Sequence, residues 1–142
     1  MKIKIKPFHF IILLLFLTAS ECGSEDTRLK LVNQSNEKIV VDYSRDSVFH
    51  DGGNQLIGYY LQSNIAPGDT LQRTMKGSKD AWVRYVMRST NYKLNVFVIL
   101  YDTLKAHGSF TYIKNNSLYD HSSYSLEELK DKGWIIHYPP KH

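Results

Sequence analysis

The side chains that could do chemistry in this 142-residue chain are few and scattered. His50-Asp51 and Asp120-His121 are the polar pairs, with His107 and His137 elsewhere. A metal site needs three or four ligands converging at about 2 Å. None of these residues has zinc or EF-hand spacing, and neighbours on a strand point to opposite faces. Solvated loop histidines are the expectation, with no metal and no cofactor. Asp42 and Asp46 have the types of an acid and base pair, as in glycoside hydrolysis. Nothing in their spacing sets them apart from the other carboxylates. No nucleophile elbow, zinc-protease helix motif or phosphate-binding glycine loop occurs. Cys22 has no neighbouring histidine to activate it as a catalytic nucleophile. What remains is aromatic: the chain has 10 tyrosines. Tyr59, Tyr60, Tyr85 and Tyr92 offer stacking faces for sugar rings, although tyrosine also suits half-buried strands.

The N-terminus explains the lone cysteine. Lys2, Lys4 and Lys6 precede an unbroken apolar run from Phe10 to Leu17. That run is shorter than the about 20 residues needed to span a bilayer. It fits the core of a secretory signal, about 7–15 residues long, so residues 1–21 are expected to direct export. The whole chain carries 18 basic and 14 acidic residues, and the signal removes three lysines and one glutamate. The remainder is only weakly basic and lacks the clustered footprint of a nucleic-acid binder. A single cysteine excludes an intrachain disulfide.

Leu17-Thr-Ala-Ser-Glu-Cys22 resembles the lipobox of bacterial lipoproteins, in which the cysteine thiol receives a diacylglycerol and becomes the new N-terminus. The resemblance implies lipidation of Cys22. Gly23-Ser24-Glu25-Asp26 resembles the short acidic tract that, in Bacteroidetes lipoproteins, directs the protein to the outer face of the outer membrane. The competing reading is ordinary cleavage after Ser20, which leaves Cys22 as a free thiol and the protein periplasmic or secreted.

Residues 22–28 read as an acidic tether, and residues 29–142 as one domain. Leu29 to Asn33 alternates like a half-buried strand. Turn residues follow, then β-branched Ile39 to Tyr43, so a hairpin is expected. Asp51 to Asn54 is a loop. Tyr59 to Leu61 reads as a short strand. Ala66-Pro-Gly-Asp-Thr70 is a turn leading into the alternating segment Leu71 to Met75. Ala81 to Met87 reads as a further strand, with helix as the alternative. Leu94 to Tyr101 is apolar enough for a central strand. Thr103 to Lys114 reads as a helix interrupted at Gly108. Ser125 and Glu128 form a capping box, and Gly133 suits the residue that ends the helix. Trp134 to Tyr138 follows as a strand placing Trp134, Ile136 and Tyr138 on one face. The expected fold is mainly β: an immunoglobulin-like β-sandwich with one or two short helices near the C-terminus.

The C-terminal part strengthens the address. The strand Val96 to Tyr101 running into Asp102-Thr-Leu104, then Tyr124 to Leu129, then Trp134-Ile-Ile-His-Tyr-Pro139, resembles a group of small uncharacterised Bacteroidetes lipoproteins. The resemblance implies a sandwich-like fold and a lipid-anchored outer-membrane location at the cell surface; it implies no activity. The expectation is a non-enzymatic binding or assembly module. It would be held to the membrane through Cys22 and engage an extracellular glycan or envelope protein, with Tyr59 and Tyr60 as the ligand-contacting rings. The alternative is a secreted hydrolase acting on glycan or peptide.

Overall fold

The computed structural model describes residues 23–50 and 56–140. The apolar signal run, Cys22 and Asp51 lie outside the described residues. Two three-stranded sheets and five short helices make a mixed α/β fold among the described residues. The first sheet centres on β1 (Glu25–Asn33), flanked by antiparallel β3 (Thr70–Lys76) and parallel β6 (Ile135–Tyr138). The second centres on β4 (Lys93–Leu100), flanked by antiparallel β2 (Ile39–Ser44) and β5 (Asp120–Ser125).

Strand alternation decides which side chains meet. Leu29 and Leu31 of β1, Ile39 and Val41 of β2, and Leu94, Val96 and Val98 of β4 share one apolar cluster with Trp134 and Ile136. Both sheets therefore turn an apolar face to the same core. The opposite face of β2 and β4, carrying Val40, Phe97 and Ile99, forms a second cluster with Phe49, Leu104, Phe110 and Ile113. Three helices supply that cover: α1 (Ile57–Gln62), α3 (Tyr101–His107) and α4 (Phe110–Asn115). Because β4 is buried on both faces, its sequence is nearly continuously apolar rather than alternating. Helices α2 (Ala81–Met87) and α5 (Leu126–Asp131) send Trp82, Val86 and Leu129 into the first cluster.

Several local expectations hold. Ser125 caps α5 with the reciprocal bonds of a capping box. The helix then ends in a Schellman arrangement, in which Gly133 N–H donates to Lys130 and Trp134 N–H to Leu129. Trp134 itself is left-handed at φ 64° and only 8 % exposed. Gly68 at φ 82° completes the turn closed by Asp69 N–H donating to the Ala66 carbonyl at 3.1 Å.

Other expectations are corrected. β1 and β2 do not pair as a hairpin; they belong to different sheets. The cause is Asn33, whose buried amide donates to the carbonyls of Glu37 and Ile65 while its oxygen accepts from Ser35. Those bonds turn the chain out of one sheet and into the other. Tyr59 to Leu61 lies in helix α1, and Ala81 to Met87 in helix α2. Helices are thus spread along the chain rather than confined to its C-terminal part.

The acidic stretch after Cys22 is a strand, not a free tether, from Glu25 onward. A bulge between Asp26 and Leu29 shifts the register, so Asp26 points inward although it is out of phase with Leu29 and Leu31. Asp26 is 2 % exposed. Its carboxylate accepts from Arg28 Nε at 2.7 Å and from the Trp82 N–H at 2.9 Å, tying β1 to α2.

Candidate functional site: the Tyr59–Arg73–Asp42 edge

β2 and β3 are the edge strands on which this site is built, each at the border of its own sheet. Arg73 occupies the same face of β3 as Leu71 and Met75, the face turned to the core. An inward-pointing cation on an edge strand discourages pairing with another chain. It also has to find partners. Its guanidinium donates to the Tyr59 hydroxyl at 3.2 Å, and that bond pulls the phenol below its ordinary range.

Helix α1 brings Tyr59 and Tyr60 to this edge. The two rings meet edge to face at 5.7 Å. Tyr60 is half-buried, packs edge to face on Phe110 at 5.0 Å, and donates its hydroxyl to Asp42 at 2.8 Å. Burial pushes the Asp42 carboxyl above its usual range, and the Tyr60 bond opposes that rise. Burial likewise raises the Tyr60 and Tyr43 phenols. Tyr43 lies on the other face of β2, edge to face with Trp82 at 5.7 Å. Its buried hydroxyl has no hydrogen-bond partner among the described residues. Tyr59 stands out by contrast, at 50 % exposed. One open ring is thus held by a guanidinium and buttressed by a second ring, with a half-buried carboxyl behind it. That set suits stacking on a flat apolar face while hydrogen-bonding its polar rim.

The other sequence candidates separate. Tyr85 is half-buried in α2 and donates to the Tyr43 carbonyl at 3.1 Å. Tyr92 is exposed in the turn between α2 and β4. Asp46 shares no hydrogen-bond partner with Asp42: it pairs with His50 at 2.8 Å and with the Thr90 hydroxyl. Asp120 and His121 diverge as strand neighbours must. Asp120 accepts from the Tyr138 hydroxyl at 2.6 Å, whereas His121 stacks on Phe97 at 4.5 Å. His121 and His137 are strand residues rather than loop histidines, and burial lowers the His121 imidazole. No group of three potential metal ligands occurs among the described residues.

A larger recess of about 320 Å³ opens where the end of β4 meets β5 and β6, lined by Glu37, Val98, Leu100, Leu118, Asp120 and Tyr138. It holds two carboxylates, but Asp42, the carboxyl that burial pushes up, is not among its walls.

Arg73 escaped the sequence reading although a signal was present: it falls at the centre of an alternating Leu71–Arg73–Met75 face where an apolar residue is normal. Comparison with protein-family models, with curated proteins and with solved structures finds no match. No helix among the described residues is long and apolar enough to cross a membrane.

Proposed function

We propose that this chain is a non-enzymatic binding module of the cell envelope, exported by residues 1–21 and lipid-anchored through Cys22 on the outer membrane, facing outward. Its architecture is read as a helix-decorated β-sandwich of the immunoglobulin-like kind, supported by the apolar core that both sheets share. The observation that carries the binding reading is Tyr59: a half-exposed ring fixed by Arg73 and Tyr60 at a sheet edge. The ligand class that fits is a glycan, whose sugar faces stack on aromatic rings and whose hydroxyls bond to carboxylates and guanidinium groups; a planar side chain of an envelope protein is the second choice.

The hydrolase alternative draws on the recess containing Glu37 and Asp120. Two carboxylates in one recess are its support, and a reaction needs a positioned acid or base.

The two readings give opposite mutational patterns. Screened against glycans, peptides and outer-membrane proteins, the protein is expected to bind without turnover. Tyr59→Ala should weaken that binding by about 1–3 kcal/mol, the range for a ring stacked on a flat ligand. Asp120→Asn and Glu37→Gln should leave it unchanged. Multiple turnover that falls about a hundredfold in either of those carboxylate variants would replace the binding reading with the hydrolase.

A further inference from the structure

Four cations converge on one shallow recess of about 160 Å³: Arg45, Lys76, Arg84 and Arg88, beside Met75 and Tyr85. No carboxylate lines it. None of the four lies within ion-pair distance of a carboxylate among the described residues. The contacts they do make are neutral: the Arg45 guanidinium sits 4.8 Å over the Tyr85 ring, and Arg84 donates to the Ser78 hydroxyl. Nearby Asp46 is engaged by Thr90 and His50. A helix C-terminus attracts cations, which accounts for Arg84 and Arg88 at the end of α2. It does not account for Arg45 and Lys76, which arrive from the ends of β2 and β3. Gathering four like charges with no carboxylate in the lining or within ion-pair distance makes the recess complementary to an anion.

Its place in the fold says which anion. Lys76 stands opposite Glu25 in the β1–β3 ladder, and Gly77 N–H donates to the Ser24 carbonyl at 3.2 Å. The cations therefore lie where the chain enters the domain, three residues after Cys22. An extended chain covers about 3.3 Å per residue. A lipid on Cys22 would thus hold the recess within about 10 Å of the headgroups, comparable to the Debye length at physiological salt. Arg84, Met87 and Arg88 are all exposed, and their spacing of three and four puts them on one face of α2. Met87 is 58 % exposed. Met87 thus adds one exposed apolar side chain to the cationic face.

We infer that this cationic face is a docking surface for the phosphate groups of an anionic bilayer, seating the domain beside its own anchor. The choice of membrane as the source of the anion rests on the anchoring proposed above; the affinity of the four cations for anionic phosphate does not.

The test uses the mature chain from residue 22 carrying Cys22→Ala, so that neither the basic, apolar signal segment nor an acyl chain contributes. Co-sedimentation is measured with phosphatidylcholine vesicles and with vesicles that also contain phosphatidylglycerol. Binding is expected only to the anionic vesicles, weakening as salt rises. Each cation near an anionic surface contributes about fivefold in affinity, so Arg84→Gln with Arg88→Gln should cost about twenty-fivefold. The melting curve should not move, because both side chains are exposed. Inorganic phosphate added at constant ionic strength should not displace the vesicles. Equal binding to both vesicle types, no binding at all, or an unaffected double variant would overturn the proposal. So would displacement by free phosphate, or retention on an anionic polysaccharide in place of vesicles; these would assign the recess to a soluble anion or a glycan. If the wild type made in cells carries no fatty acid on Cys22, the anchoring proposal fails, while anionic-vesicle binding lost in the double variant still supports the docking surface.

Discussion

Trp82→Ala is expected to destabilise the domain by about 3–5 kcal/mol, visible as a large fall in the denaturant midpoint at unchanged steepness. The indole is 2 % exposed and enters the core shared by both sheets. It meets Tyr43 and Tyr85 edge to face at 5.7 and 5.5 Å. Its ring N–H donates to the Arg73 carbonyl at 3.1 Å. Truncation removes the packing of α2 on β3 and leaves that edge-strand carbonyl without its donor. Domains of this size have about 5–15 kcal/mol in hand, so much of the stability would be lost in one substitution. A midpoint shift smaller than that of an ordinary surface substitution would mean that α2 does not pack on the sheets as described.

Asp26→Ala should cost about 2–4 kcal/mol, a large effect for a residue in the chain's acidic entry. The carboxylate is buried against the Trp82 N–H and the Arg28 guanidinium. Removing it orphans a buried backbone donor, which costs about 1–3 kcal/mol, and deletes a charge-assisted bond of similar size. The full penalty of a broken buried pair, about 3–5 kcal/mol, is not reached because Arg28 keeps Asp80 at 2.9 Å and partial exposure. Glu25→Ala, one residue earlier and exposed, is the control and should be near neutral. Equal melting of the two variants would return Asp26 to a tether. The distinction also bears on export: whatever the acidic stretch contributes to addressing, Asp26 is committed to the fold.

These two residues show where the sequence is readable. Strand β4, the Gly68 turn, the capping box at Ser125 and the stop at Gly133 are specified by local chemistry and stand where expected. Ile136 enters the core as strand alternation requires, whereas Trp134, expected to open that strand, lies before β6 and reaches the core from the left-handed turn that ends α5. Tertiary contacts override the local signal elsewhere. Tyr59 and Tyr60 have strand-forming side chains, yet α1 forms because Tyr60 packs on Phe110 and reaches Asp42. β5 is Asp-His-Ser-Ser-Tyr-Ser, too polar to read as a strand. It exists because β4 offers it a full antiparallel ladder and Phe97 offers His121 a stacking face. The bulge at Asp26 broke the alternation that would have extended β1. Of the candidate site, the two tyrosines and Asp42 could be singled out by type. Their meeting with Arg73 could not, since it depends on which sheet edges adjoin. The cationic recess is dispersed over residues 45–88, and only the dense run of cations from Arg73 to Arg88 hints at it.

The most direct measurement of the central claim is metabolic labelling with a fatty acid in cells producing the wild type and Cys22→Ala, followed by membrane fractionation and protease treatment of intact cells. The wild type is expected to be labelled, to remain with the outer membrane and to be cut from outside, because two or more acyl chains anchor a protein stably where one does not. Cys22→Ala should be unlabelled and released from the membrane fraction by a high-salt wash, which screens the cationic face and leaves a lipid-anchored wild type in place. A Cys22→Ala protein that stays labelled and membrane-bound, or a wild type found soluble and without label, would contradict the account.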